Sequence, residues 1–162
     1  MTEMETLTRT ADGGHVLNLT RHFKAPRERV YRAFTEPDHV ARWFGPEGMT
    51  CEILEFDARP GGRYSLVMRN AEGAPHPLSG TFQELTPPER LVYSWLWGGE
   101  GGYAGLETRV TLEFAERDGG TDLTLTHELF TDADQVAAHQ GGWTSSFNCL
   151  DEVLKQGDQD HD

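Results

Sequence analysis

Hydrophobic positions in this chain follow two periods, one of about two residues and one of about 3.6, and the switch between them divides it into elements. The clearest helical stretch is residues 131–155. There Val136, Trp143, Phe147, Leu150 and Leu154 are spaced by seven, four, three and four positions, which is one face of a single helix. Thr131 or Asp132 supplies the N-terminal cap, Asp132 and Asp134 place carboxylates in the first turn, and Lys155 followed by Gly157 marks the end. Gly141 and Gly142 interrupt the pattern, each costing roughly 1 kcal/mol relative to alanine inside a helix. The pair predicts a bend or a close approach at that point, the approach being either packing against a sheet, which is the expected case, or contact with a ligand.

Upstream, Leu17, Leu19 and Phe23 alternate with polar neighbours as in a half-buried strand. Arg21 shares their face. It lies at the sheet rim with its head in water, the expected placement, or it points into an enclosed space and needs a carboxylate, with Glu84 and Glu107 the candidates. Pro26 opens a short helix with Val30, Ala33 and Phe34 facing inward. Pro37 opens a second, with Val40, Trp43 and Phe44 inward, ended by Gly45-Pro46. Strand-like runs follow over residues 50–56, 63–69, 78–85 and 91–97, then two more carrying Val110, Leu112 and Phe114, and Leu123, Leu125, His127 and Leu129. Turn chemistry separates them: Arg59-Pro60-Gly61-Gly62, Pro87-Pro88 and Asp118-Gly119-Gly120.

The order is therefore strand, two short helices, about six antiparallel strands and one long helix, an α+β chain with a strongly curved antiparallel sheet of about seven strands. Only the C-terminal helix is long enough to cover the sheet's apolar face. Residues 15–157 form the single domain, residues 1–14 a flexible N-terminal arm without periodicity, and residues 158–162 a disordered acidic tail.

Charge narrows the partners. Fourteen basic against twenty-seven acidic residues give a net charge of −13, which lacks the basic footprint that nucleic acid or an anionic membrane surface requires. Cys51 and Cys149 make neither a disulfide framework nor a zinc spacing. With no signal peptide and no long apolar run, a cytoplasmic setting without membrane insertion is expected.

Several short motifs occur in a definite order: Ala25-Pro26 with Val30 and Phe34, Thr35-Glu36-Pro37 with Trp43-Phe44-Gly45-Pro46, Arg59-Pro60-Gly61-Gly62, Pro87-Pro88-Glu89-Arg90-Leu91 with Trp95, then His139 with Gly142-Trp143 and Phe147. Together they resemble the SRPBCC superfamily (START-like, Bet v 1-like), and most closely the branch similar to the C-terminal domain of activators of the ninety-kilodalton heat-shock protein ATPase. The resemblance spans about residues 15–156 and implies a helix-grip fold with a hydrophobic cavity between sheet and long helix. Relatives include lipid carriers, hormone receptors, polyketide aromatase/cyclases and oxygenase domains, so the resemblance marks a site without fixing a reaction.

The residues that carry candidate chemistry are mostly aromatic. Trp43, Tyr64, Met68, Trp95, Trp97, His127, Trp143 and Phe147 fall on inferred inner faces and form the expected binding set for a small hydrophobic, aromatic-type molecule. Tyr93 and Phe114 share those faces as core. A cyclase- or hydrolase-type enzyme would use His127, Tyr64 or Arg21 in the same cavity, with His127 as general base. A third possibility is a chaperone-activator-like interaction module. His139 lies one turn before Trp143, and Cys149 is turned roughly 200° from the Phe147 face, which removes it as a nucleophile for His127. The histidines do not group at ligand spacings, so neither a metal nor a cofactor is expected. The sequence leaves oligomeric state open.

Overall fold

In the computed structural model, which describes residues 4–11, 14–44, 48–99 and 105–160, eight strands form one antiparallel sheet. They are β1 (Met4–Ala11), β2 (Gly14–Phe23), β3 (Thr50–Phe56), β4 (Arg63–Arg69), β5 (Pro75–Thr86), β6 (Arg90–Trp97), β7 (Glu107–Arg117) and β8 (Gly120–Phe130), in the spatial order β1-β2-β8-β7-β6-β5-β4-β3. Helices α1 (Arg27–Thr35) and α2 (Pro37–Trp43) follow β2, and α3 (Ala133–Asp160) runs along the sheet's concave face. The result is an α+β helix-grip fold, which the resemblance implies and whose element order the periodicity predicts.

Alternation decides which face is covered. On β8, Leu123, Leu125 and His127 point to the core and Thr124 and Thr126 away from it. From α3, Val136, Trp143, Phe147, Leu150 and Leu154 are all at most 5% exposed. The cap on α3 is Asp132, whose Oδ1 accepts from the Gln135 N–H at 2.9 Å. Arg29 of α1 donates to the Leu154 carbonyl, which ties the helical pair to the far end of α3. No helix among the described residues is long and apolar enough to cross a membrane.

Four expectations need correction. Residues 4–11 of the expected arm are an edge strand, paired with β2 from Met4 opposite Arg21 to Ala11 opposite Gly14. An edge strand needs only main-chain pairing, so a stretch without an apolar face leaves no periodic signal. At the other end α3 continues through Asp160, past Gly157 and into the expected acidic tail. Pro26 is the N-cap of α1 rather than its first helical residue. Strand β5 begins at Pro75 instead of Leu78. Its residues 75–77 pair with β4, while its β6 partners begin at Leu78, so the missing proline N–H groups break no ladder on that side.

Candidate functional site

Two groups of rings occupy the space between sheet and helices. The first joins β6, β8 and α3. Trp95 on β6 lies 5.0 Å from the His127 ring, 5.1 Å from Trp143 and 5.6 Å from Trp97, centroid to centroid. Leu129 adopts φ +77, and the bend carries Phe130 inward to 4.5 Å from His127 and 4.7 Å from His139.

Hydrogen bonds fix the protonation of this group. Trp143 Nε1–H donates to His127 Nδ1 at 3.0 Å, so that nitrogen is unprotonated. His127 Nε2–H then donates to Thr108 Oγ1 at 2.7 Å, and the Thr108 hydroxyl donates in turn to the Trp95 carbonyl at 3.2 Å. On α3, His139 Nδ1–H donates to the Gln135 carbonyl at 2.8 Å while its Nε2 accepts from Trp97 Nε1–H at 2.8 Å. Both imidazoles are neutral. Burial holds His127 well below its ordinary pKa, helped by the nearby His139, and burial likewise lowers His139.

The second group lies under α2, at the β3–β6 end of the sheet. Tyr64 reaches across β5 to donate to the Ser94 carbonyl of β6 at 2.6 Å. Gly80 lets it do so, because a Cβ there would stand 2.7 Å from the Tyr64 ring and 2.1 Å from that carbonyl. Burial pushes the Tyr64 hydroxyl well above its usual pKa. A half-open cleft lies among Phe34, Val40, Trp43, Phe44, Phe56, Tyr64, Leu66, Phe82 and Tyr93. Its cavity volume is about 20 Å³, room for about one water. Phe44 belongs to both groups: it lines the cleft and packs 5.7 Å from Trp95 and 6.0 Å from Trp143.

The profile of the family described as Activator of Hsp90 ATPase homolog 1-like protein (AHSA1) matches residues 24–155. The chain belongs to the AHSA1 family. Its solved relatives include protein CV1439 from Chromobacterium violaceum, 35% identical with a TM-score of 0.79 over 86% of this chain and 96% of that one. The AHSA1 protein of Silicibacter pomeroyi is 28% identical, with a TM-score of 0.78 over 87% and 98%. CalU16 of Micromonospora echinospora is 27% identical, with a TM-score of 0.64 over 95% and 86%. Among curated proteins none matches this chain.

Within this AHSA1 domain the predicted residues separate into the two groups and a remainder. Trp95, Trp97, His127 and Trp143 come together in the first group, with Phe147 5.5 Å from Trp143. Trp43 and Tyr64 line the cleft. Met68 is 3% exposed in the core but is not among the cleft residues. Arg21 is not at the rim. It is 6% exposed and donates to Asn148 Oδ1 at 2.7 Å, with Asp151 at 3.8 Å, so its partners come from α3. Glu84 instead meets Arg90 at 3.2 Å. Thr108 and Phe44 lie outside the binding set expected from the sequence. Thr108 sits opposite Trp95 in the ladder, on the face shared with Val110, so alternation marks it as inward and polar. Phe44, the C-cap of α2, was visible as an inward residue, but its bridging position depends on how α2 sits against α3.

Proposed function

We infer that this AHSA1 domain binds a small, flat, mostly apolar molecule between the sheet and α3, entering by the cleft under α2. The observation that carries the reading is the cleft itself: it opens to solvent and every lining residue is apolar or aromatic. The space at rest is small, so binding proceeds by ring displacement. Phe44 is the ring to move, because it separates the cleft from Trp95 and Trp143. Edge-on ring pairs such as Phe44–Trp143, at 80°, lend themselves to replacement by a flat guest. For His127, a general-base role has little support, since both ring nitrogens have protein partners. A cytoplasmic carrier or sensor of such molecules is the role that fits.

Titration with 1-aminoanthracene, a neutral flat fluorophore, tests this. Saturable binding near one per chain, with quenching of tryptophan emission, is expected, together with a several-fold loss of affinity in Trp143→Ala. Non-saturable uptake, or binding untouched by interior substitutions in a folded variant, would rule out an interior site.

A further inference from the structure

The four tryptophans differ in what their indole N–H groups do. Trp43 donates to the Ala33 carbonyl at 2.8 Å, Trp97 to His139 and Trp143 to His127. Trp95 is 5% exposed, and its Nε1–H finds no acceptor among the described residues. A buried donor left unpaired costs about 1–3 kcal/mol, so its presence at the centre of a ring cluster calls for a partner that arrives from outside. The imidazole acceptors of the same ring cluster are engaged: His127 Nδ1 accepts from Trp143 and His139 Nε2 from Trp97.

We propose that Trp95 is the donor by which this protein selects its ligand, and that the ligand is an uncharged flat molecule presenting one oxygen acceptor of the ketone or ether kind. The proposal rests on the interior-binding reading above and adds the chemistry of the guest. Rings surround Trp95: Phe44, Trp97, Trp143 and the two neutral imidazoles all lie within 6.3 Å, centroid to centroid. No carboxylate, ammonium or guanidinium is among those neighbours, so an ionic guest would be desolvated without a counter-charge. Arg21, the buried cation beneath α3, is engaged by Asn148 and Asp151. A guest whose only polar group is a donor would meet a second donor at Trp95 and no open acceptor.

Indane, 1-indanone and indane-1-carboxylate share one skeleton and differ at this group, and NMR titration of the folded protein reads both affinity and site. The expected result is that 1-indanone binds about tenfold more tightly than indane, the worth of one buried hydrogen bond, and that the Trp95 indole N–H resonance moves downfield with the ketone alone. Trp95→Phe brings the two neutral probes to equal affinity, and indane-1-carboxylate binds more weakly than either. Equal affinities in the native protein, a shift confined to Trp97 or Trp143, or preference for the carboxylate would overturn the proposal while leaving an interior site standing. Binding of none of the three would overturn the interior-binding reading and this proposal with it. The native-protein shifts decide the matter even where Trp95→Phe fails to fold.

Discussion

Arg21 lies on the core side of β2, 6% exposed, its amino groups directed at Asn148 and Asp151 and its Nε without a partner among the described residues. Removing a charge from water costs more than a single carboxylate at 3.8 Å returns, and desolvation accordingly lowers the guanidinium pKa against the opposing pull of Asp151. The pair is therefore worth less than it looks, whereas stranding the arginine is expensive. Asn148→Ala takes away an acceptor from a buried cation and is expected to destabilise by about 1.5–3 kcal/mol. Arg21→Met keeps the stem's packing and removes the charge, and should stay within about 1 kcal/mol of the parent. Urea unfolding of both variants checks this. The opposite order would mean that the guanidinium itself, rather than its need for partners, holds α3 to β2.

At the scale of elements, α3 shows what the sequence conveyed and what it withheld. Its buried face was legible because five apolar residues at helical spacing have no other consistent placement, and β3 and β4 were legible to the residue because alternation and the Arg59-Pro60-Gly61-Gly62 turn agreed. At Gly141 the expected close approach is missing. Gly141 is exposed, and a Cβ built on it meets nothing within 4 Å, so neither sheet nor neighbouring side chain requires it. Gly141→Ala is accordingly expected to raise stability by about 1 kcal/mol, the difference in helix propensity, and to leave 1-aminoanthracene affinity unchanged. A lower melting temperature would show that the helix needs a contact or a bend there. The Trp143–His127 and Trp97–His139 pairs were out of reach for another reason. Alternation and helical spacing gave each residue its inward face, but pairing depends on how far α3 is rotated and shifted over β6 and β8. The free volume depends on that same offset, summed over every ring.

Those two imidazoles also tie the stability of the whole molecule to pH. In the folded chain His127 is 0% exposed and His139 is 7% exposed, and each has one nitrogen accepting an indole proton, so both stay neutral. Released into the unfolded chain they titrate near the ordinary value of about 6.5. Below that pH the unfolded state binds protons that the folded state refuses, so stability falls as pH falls. It is fully present above about 6.5 and declines toward the lowered folded values, by about 1.4 kcal/mol per pH unit for each histidine and about 2.7 for both. The Asp122 carboxylate, held down by its bond to Arg117, contributes a loss of the same sign, in a separate window below its ordinary value of 3.8. Urea midpoints between pH 7.5 and 5.5 therefore isolate the imidazoles. Wild-type protein should be level above pH 7 and fall steadily beneath 6.5, and His139→Gln, which keeps an acceptor for Trp97, should show about half that slope. A flat profile across the range would mean that both rings take up protons in the folded state, which the indole N–H groups of Trp97 and Trp143 facing them would not tolerate without repacking, and half the slope would mean that one of them does.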